Sequence, residues 1–267
     1  MIIVSGGRLD VNNRSKTELL ISVVSHNQGQ QVKQLLDSIE KHCNHDRIAV
    51  VLTLNVAEDL PFDQSAYPFS LSICPNQKPE GFGANHNKAF NFMNSNYFCV
   101  LNPDVCFRED PFPALIESVK EIEAGVTAPV VYNSGDQLED SVRMLPTPLK
   151  IWQRQFAKKL DYTPAEKIQE VDWIAGIFML FKSSLFKQLK GFDEKYYLYC
   201  EDVDICSRLW LQGKKVLWNS GVVIYHDAQR SSHRKWRFLG LHLASLLRLF
   251  CSSVYYRRYY QKTFLQG

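Results

Sequence analysis

Three acidic side chains stand within four positions, at Glu201, Asp202 and Asp204, in the stretch LYCEDVDICSRLW. The residues around them are aromatic or aliphatic, which is typical of a segment that is buried on folding. An ionised carboxylate in apolar surroundings is costly unless a partner or a use compensates it. Either the acids begin a helix, whose dipole favours negative charge, or one of them removes a proton from a substrate in a cleft. For Asp204 alone, the helix start is the favoured interpretation.

Other polar clusters follow apolar runs that have the pattern of buried strands. They are Ser25-His26-Asn27, Asn55 with Glu58 and Asp59, the stretch GFGANHN at 81–87, and Asn102-Pro103-Asp104. In parallel sheets, ligands bind in the loops at the carboxyl ends of the strands, so these clusters are candidates for a common site. None is specific alone, because Asn-Pro-Asp is a common turn sequence and GFG lacks the third glycine of a dinucleotide-binding loop.

The elements that must position these clusters alternate along the chain. Apolar, β-branched runs predict strands at 19–25, 47–55, 69–73, 97–102 and 173–181. Helical spacing predicts helices at 29–42, 88–95 and 202–213, with 81–87 as a flexible loop before the second. This alternation predicts an α/β fold with a doubly wound, mostly parallel sheet. Residues 1–18 are predicted to be an N-terminal extension, and 133–170 a mobile insertion.

Composition limits the class of protein. The chain has 267 residues, 45% hydrophobic and 22% charged, which suits a globular protein with a sizeable core. The net charge of +3 is too small to indicate nucleic-acid binding. Seven scattered cysteines, an odd number, indicate reduced thiols and not a disulfide framework. No run approaches the roughly 20 apolar residues of a membrane span, so we expect a cytoplasmic protein.

Four longer stretches together resemble the family 2 glycosyltransferases of the GT-A fold, within the rhamnosyltransferase-like group that builds bacterial surface polysaccharides such as O-antigen. The stretches are GFGANHNKAF, FCVLNPDV, VDWIAGIFMLFKSSLF and KGFDEKYYLYCEDVDICSRLWLQG. The last is very similar to the family segment in which GFDE and aromatic residues precede a Glu-Asp pair. The resemblance extends from about Leu19 to about Leu241. It implies a catalytic domain at 19–234, with a donor half at about 19–130 and an acceptor half at about 171–234.

The resemblance implies a metal-dependent donor site. Asn102-Pro103-Asp104 resembles the family's DXD motif with Asn in place of the first acid, and Asp104 would hold Mg²⁺ or Mn²⁺ against the diphosphate of a nucleotide sugar. His226, after a late strand, would be a second metal ligand. The donor-binding residues that the resemblance implies are Ser25, His26, Asn27, Asn55, Gly81, Phe82, Gly83, Asn102 and Arg230, with Ser231 and Ser232 beside the last. Relatives usually carry Asp-Asn after the second strand, whereas this chain has Leu54-Asn55, which leaves the nucleotide open.

The resemblance also assigns the acidic cluster. Asp202 would be the general base that takes the proton of the acceptor hydroxyl as its oxygen attacks the anomeric carbon. Glu201 would orient the acceptor or the base. Asp172 and Trp173 would bind sugar hydroxyls and stack on a ring face, as acceptor-binding residues. A core position for Trp173 is an equal alternative.

The segment 235–267 is basic and amphipathic. After Asp227 the chain has eight Lys or Arg residues and no acid. One face of the predicted helix carries Leu239, Leu243, Leu246, Leu247, Phe250 and Val254. We predict that this helix holds the protein on the inner face of the cell membrane as a peripheral protein. Packing on its own domain and a homodimer contact are the alternatives.

The resemblance implies an inverting glycosyltransferase that transfers L-rhamnose from dTDP-L-rhamnose to a saccharide acceptor on a polyprenyl diphosphate lipid, in O-antigen or other lipopolysaccharide synthesis. A second interpretation keeps the fold and changes the donor to UDP-galactofuranose or UDP-N-acetylglucosamine. A third is a non-catalytic saccharide-binding or scaffold protein, which the missing first acid of the DXD motif would favour.

Overall fold

A nine-stranded mixed sheet forms the centre of the protein, in a computed structural model that describes residues 17–121, 123–156, 160–226 and 235–264. The strands are β1 (Leu19–Ser25), β2 (Ile48–Leu54), β3 (Ser70–Pro75), β4 (Tyr97–Leu101), β5 (Val105–Cys106), β6 (Ala124–Tyr132), β7 (Val142–Arg143), β8 (Ile168–Glu170), β9 (Trp173–Ile174), β10 (Phe178–Lys182) and β11 (Lys215–His226). The order in the main sheet is β3-β2-β1-β4-β10-β6-β11-β5, and β8 also pairs with β11. β7 and β9 form a separate two-stranded sheet.

Helices cover both faces of the main sheet. They are α1 (Gly29–His42), α2 (Phe82–Phe90), α3 (Phe112–Lys120), α4 (Pro148–Phe156), α5 (Ser183–Gln188), α6 (Glu201–Leu211), α7 (Lys235–Phe250) and α8 (Ser253–Phe264). The alternation of side chains along β1 shows why: Leu20 packs into one apolar cluster, whereas Leu19 and Ile21 pack into the other. Two cores therefore lie back to back, and the predicted α/β architecture is confirmed.

The direction of the strands changes in the middle of the sheet. β1, β2, β3 and β4 are parallel to one another, and β6 is parallel to β11. Between these two parallel groups lies β10, which is antiparallel to both β4 and β6. The predicted donor and acceptor halves thus share one continuous sheet.

Three predicted elements differ in the structure. The apolar run 173–181 is divided into β9 and β10, because residues 175–177 leave the strand direction and contact the start of α6. The helix predicted at 88–95 begins already at Phe82 and ends at Phe90. The segment 133–170, predicted to be an insertion, contains β7, α4 and β8.

The C-terminal segment forms two helices where one was predicted. α7 and α8 are bent by 64° at a short break after Phe250. Within the described ranges, no single helix is long and apolar enough to cross a membrane. The bent pair of α7 and α8, taken together, has the required length and apolar composition.

Candidate active site

Strand pairing brings Asp104 and His226 together. Asp104 lies in the turn between β4 and β5, and β5 pairs antiparallel with the end of β11 so that Val105 is opposite His226. The residue before Val105 therefore lies beside the histidine, and Nε2 of His226 is 3.1 Å from Oδ1 of Asp104. These are the two residues that the resemblance implies as metal ligands.

Glu139 contacts the other side of the same imidazole ring. Its Oε2 lies 2.7 Å from Nδ1 of His226. Burial alone would lower the pKa of His226, but the hydrogen bonds and charges of Asp104 and Glu139 outweigh it and raise the pKa to about 9. A carboxylate on one ring nitrogen is the usual device that orients a metal-binding histidine. Glu139 could not be selected from the sequence, because only the fold brings the residues after β6 to the end of β11.

The Asp104–His226 pair fits a divalent cation. Apart from its ion pair with His226, the buried Oδ1 of Asp104 has no hydrogen-bond partner in the described part of the chain. Nε2 of His226 and Oδ1 of Asp104 are 3.1 Å apart, close enough that both could bind one ion. Mg²⁺ is usually held by one or two protein carboxylates together with substrate phosphates and water. Among the described residues, no group of three or more His, Cys, Asp or Glu side chains is arranged as a metal site.

Asp202 lies in the first turn of α6, where backbone N–H groups hold both of its oxygens. Val203 donates to Oδ1 at 2.8 Å, and Gly176 donates to Oδ2 at 3.3 Å. The helix begins without a side-chain cap, so helix capping does not account for this carboxylate. The two residues before the first residue of α6, Tyr199 and Cys200, have left-handed backbone conformations with φ of 72° and 70°. Such conformations are uncommon for residues other than glycine, and two in succession make this a strained turn.

The neighbouring acids differ in how their negative charge is stabilised. The side chain of Glu201 is buried, and burial followed by the charge of Asp202 raises the pKa of Glu201 well above its usual value. Burial also raises the pKa of Asp202, but the N–H of Val203, the charge of Arg143 and the N–H of Gly176 oppose the rise. Asp202 is therefore the member of the pair whose anion is better supported, as a general base requires.

Asp204 has a structural partner. Its Oδ2 accepts a hydrogen bond from Nε of Arg208 at 2.7 Å, and the same guanidinium donates to the backbone carbonyls of Leu189 and Gly191. The side chain of Asp204 is 3% exposed. This carboxylate joins α6 to the end of α5, in agreement with the structural interpretation of its sequence position.

One short backbone segment connects the surroundings of Asp202 and Asp104. Gly176 donates to Asp202, and the carbonyl of the next residue, Ile177, accepts a hydrogen bond from the N–H of Asn102 at 2.9 Å. β10 follows directly and pairs with β4, with Phe178 opposite Leu101. Asp104 and Asp202 therefore lie at the same end of the sheet, on the two sides of residues 176–177.

The side chain of Asn55 is occupied by other protein groups. Its Oδ1 accepts hydrogen bonds from Nδ2 of Asn76 and from the N–H of Glu80, and its Nδ2 donates to the carbonyl of Glu80. Nδ2 of Asn76 also donates to Oδ1 of Asn85 at 2.7 Å. An amide oxygen accepts two hydrogen bonds, so the oxygen of Asn55 has none left for a nucleotide base. Asn55 was predicted to bind the donor, and the structure instead gives it the role of fixing the loops after β2 and β3.

The turn after β1 leaves two of its three predicted donor-binding side chains exposed. Ser25 is buried, and its Oγ accepts a hydrogen bond from the N–H of Gln28 at 3.1 Å. His26 and Asn27 lie at the exposed tip, and Asn27 has a φ of 64°. Ser25 thus shapes the turn, whereas His26 and Asn27 are accessible to a ligand. The predicted contact from Arg230, Ser231 and Ser232 lies outside the described residues.

The glycines at the start of α2 are explained by packing within the protein. A Cβ atom at Gly81 would lie 2.7 Å from the carbonyl oxygen of Tyr197, and one at Gly83 would lie 2.7 Å from Cβ of Phe192. The N–H of Phe82 donates to the same Tyr197 carbonyl at 2.9 Å, and the Phe82 ring packs edge-on against Phe192. Gly81 and Gly83 therefore let α2 contact the segment that leads to Asp202, and the approach of this backbone to the donor stays a prediction.

Asp172 is a structural residue and not, as predicted, an acceptor-binding one. Its Oδ1 lies 3.2 Å from Nη2 of Arg258, and its Oδ2 accepts from Nζ of Lys262 and from the N–H of Leu145. The side chains of Asp172 and Arg258 are 6% and 2% exposed. This buried ion pair joins α8 to the residue before β9, so the carboxylate faces the C-terminal helix.

Trp173 occupies the core position that was the equal alternative to acceptor binding. The residue is buried, and its Nε1 donates to the carbonyl of Met144 at 2.9 Å. The neighbouring side chain of Arg143 is 36% exposed, and its guanidinium carbon lies 5.2 Å from the centre of the Trp173 ring.

Residues 21–189 match the family model for glycosyl transferase family 2, which covers more than half of the chain. The chain belongs to this family. A rhamnosyltransferase of Escherichia coli (strain K12), WbbL, is 29% identical over 227 residues, which cover 80% of this chain and 83% of that protein. An N-acetylglucosaminyl-diphospho-decaprenol L-rhamnosyltransferase of Mycobacterium tuberculosis is 28% identical over 166 residues, or 56% of this chain and about half (52%) of that protein.

Solved structures show that this family 2 glycosyltransferase has the GT-A fold. GalNAc-T7 with UDP, GalNAc and Mn²⁺ matches with a TM-score of 0.66 at 13% identity, covering 87% of this chain and 47% of that one. The mannosyltransferase PcManGT of Pyrobaculum calidifontis, with GDP-Man and Mn²⁺, matches with a TM-score of 0.58 at 14% identity, covering 87% and 65%. The predicted family, the GT-A fold and a glycosyltransferase of the rhamnosyltransferase-like group are confirmed.

Proposed function

We propose that this glycosyltransferase transfers L-rhamnose from dTDP-L-rhamnose to a lipid-linked saccharide, with inversion at the anomeric carbon. The observation that carries the proposal is the similarity to the E. coli rhamnosyltransferase over four fifths of the chain. The structure agrees with the proposal: the carboxylate of Asp202, which accepts hydrogen bonds from two backbone N–H groups, lies at the same end of the sheet as the Asp104–His226 pair. The mycobacterial relative acts on a diphospho-decaprenol saccharide by its name, and this suggests an acceptor of the same kind.

In the proposed reaction Asp202 takes the proton of an acceptor hydroxyl while that oxygen forms its bond to the anomeric carbon. The bond between this carbon and the diphosphate breaks in the same step, and the electron pair leaves with the nucleotide diphosphate. Glu201, with its raised pKa, remains beside the base and orients it. Asp104 and His226 would hold Mg²⁺ or Mn²⁺, which when bound acts as a Lewis acid towards the departing diphosphate. His26, Asn27 and Asn102 remain the candidates for donor contacts.

Donor identity is tested directly by ligand-induced stabilisation. With Mn²⁺ present, we expect dTDP and dTDP-L-rhamnose to raise the melting temperature, because only a ligand that binds the folded state does so. The shift should disappear with EDTA or in the Asp104→Asn variant. UDP-galactofuranose and UDP-N-acetylglucosamine are the comparison donors. If one of them raises the melting temperature and dTDP-L-rhamnose does not, the donor is a UDP-sugar and the rhamnose proposal is wrong.

We propose further that α7 holds the enzyme on the inner membrane surface. Leu246 and Phe250 of α7 pack against the protein core, whereas Leu239, Leu243 and Leu247 are 48%, 58% and 68% exposed on another face of the helix. An exposed leucine row on a helix without acidic residues suits a bilayer with anionic lipids.

The membrane proposal predicts that the protein sediments with vesicles of anionic lipid, and less well with neutral ones. The Leu243→Ser, Leu247→Ser variant should lose most of this binding while its melting temperature changes little, because both leucines are exposed. A concentration-dependent dimer that the same two substitutions dissociate, without vesicle binding by either form, would show that the leucine row is a homodimer contact instead.

A further inference from the structure

Arg143 lies where the second sheet meets the start of α6. β7 pairs with β9 so that Arg143 is opposite Trp173, and the N–H of Ala175 donates to the carbonyl of Ser141 at 2.8 Å. The next residue of that segment, Gly176, donates to Asp202. The strand that carries Arg143 is therefore hydrogen-bonded to the segment that holds the proposed general base.

The guanidinium group is fixed on one side and open on the other. Its Nε contacts the carboxylate and the carbonyl of Asp140, each at 3.2 Å, and its carbon stacks over the ring of Trp173. Within the described ranges, neither of its terminal nitrogens, Nη1 and Nη2, makes a hydrogen bond. An arginine that is oriented by its Nε and by stacking, with both terminal nitrogens free, has the geometry for a bidentate contact to an oxyanion.

The positive charge of Arg143 acts on two other parts of the site. It opposes the rise in the pKa of Asp202 and contributes to the lowered pKa of His242, which is on α7. His242 packs against the ring of Tyr199 at 4.9 Å between ring centres, and Oγ of Ser245 donates to the carbonyl of Leu198. The charge of Arg143 therefore acts both on the proposed base and on α7, the helix that carries the exposed leucines. A ligand that spans this space would be anionic near Arg143 and apolar near α7.

We propose that Arg143 binds a phosphate group of the acceptor, in the diphosphate that joins the acceptor sugar to its lipid. The proposal rests on the proposed function for the class of acceptor. The phosphate contact would place the sugar hydroxyl near Asp202 while the lipid continues towards α7. It assigns to Arg143 a role in choosing between acceptors, separate from donor binding and additional to the support that its charge gives to the Asp202 anion.

The test compares two acceptors that differ only in the diphosphate: a short-chain alkyl diphosphate of N-acetylglucosamine and the alkyl glycoside of the same sugar. For the Arg143→Gln variant we expect KM for the diphosphate acceptor to rise about ten- to a hundredfold, since two charge-assisted hydrogen bonds are lost. KM for the glycoside and the affinity for dTDP-L-rhamnose should stay unchanged, and the fall in kcat that follows from weaker support of the Asp202 anion should be the same with both acceptors. Arg143→Lys should recover part of the loss. The matched control is Arg108→Gln, because Arg108 also stacks on an aromatic ring, that of Tyr225, at 3.5 Å.

Three outcomes would overturn the proposal. They are an equal rise in KM for both acceptors, no rise in KM for either, and a loss of donor affinity in Arg143→Gln, which would show that Arg143 binds the donor. Calorimetric titration with inorganic diphosphate in the absence of donor provides a second measurement, in which Arg143→Gln should bind at least tenfold more weakly than wild type. This titration needs no turnover. If the wild-type enzyme transfers no rhamnose, the proposed function fails and the titration still decides whether Arg143 binds a diphosphate.

Discussion

Replacing Asp202 by asparagine is expected to reduce the rate of sugar transfer by about 10²- to 10⁴-fold, the usual contribution of a general base. Asparagine has the same size and can accept a hydrogen bond from the backbone N–H groups of Val203 or Gly176, but it cannot take a proton from an acceptor hydroxyl. The affinity for the nucleotide-sugar donor should remain close to that of wild type, because the proposed donor contacts lie on other loops. The measurement is kcat for transfer, together with calorimetric binding of the donor in the presence of Mn²⁺.

Asp204→Asn is the matched control for this substitution, two residues further along α6. It removes the partner of Arg208 and should lower the melting temperature, while kcat per folded molecule changes by no more than a few-fold. Near-normal turnover of Asp202→Asn would remove the assignment of the base. Equal losses in the two variants would indicate that the first turn of α6 matters only for folding.

The pH dependence of the rate gives a second test of Asp202. The base acts in its ionised form, so the rate should fall as the pH decreases through the raised pKa values of the Glu201–Asp202 pair. Burial raises the pKa of both carboxyl groups, and the decline should therefore occur above the pKa of about 4 that is usual for carboxylic acids. Because the two groups interact, the midpoint belongs to the pair. The residual activity of Asp202→Asn should lack this decline.

Removing the carboxylate of Asp172 is expected to destabilise the protein by about 3–5 kcal/mol, the typical cost of leaving one member of a buried ion pair without its partner. In Asp172→Ala, the side chain of Arg258, only 2% exposed, would keep its charge without the carboxylate that now compensates it. Arg258 also stacks on Trp210 of α6 at 4.5 Å, so its displacement would loosen α8 from the helix that carries Asp202. The free energy of unfolding, from urea denaturation followed by circular dichroism, measures this effect.

A double substitution separates the charge effect from packing. Asp172→Leu together with Arg258→Met removes both charges and keeps most of the apolar volume, and it should recover a large part of the lost stability. Lys262→Met alone should cost less than Asp172→Ala, because the Lys262 side chain is 36% exposed and its charge stays partly solvated. A loss below about 1 kcal/mol in Asp172→Ala would contradict the structural role given to this pair.

The elements that the sequence predicts well are those whose pattern is local. β1 and α1 begin and end at the predicted residues, because a β-branched run and the helical spacing of Val32, Leu35, Leu36 and Ile39 each determine one conformation. α2 was placed too late, since Gly81 and Gly83 indicate a loop when their contacts with Tyr197 and Phe192 are unknown. The break between β9 and β10 is invisible in a continuous apolar run.

The residues of the site divide in the same way. The resemblance selected Asp104, Asp202 and His226, and the fold brings Asp104 and His226 together. Glu139 and Arg143 were missed because their roles depend on which strands are neighbours. Asp172 was misassigned because its partner Arg258 lies in the basic C-terminal segment, which the sequence analysis predicted to bind the membrane surface. Sequence motifs indicated the groups that are proposed to do chemistry, whereas the groups that contact them required the tertiary structure.

The strained turn at Tyr199 and Cys200 has a consequence for anyone who wishes to make this enzyme more heat-resistant. Each left-handed residue of this kind raises the energy of the native state by about 1–3 kcal/mol, so the turn is an obvious target for glycine substitution. The turn leads directly into the first turn of α6, so relaxing it would loosen the position of Asp202, and heat tolerance would then be gained at the expense of turnover. Consensus or library screens that select on melting temperature alone should therefore leave these two positions fixed.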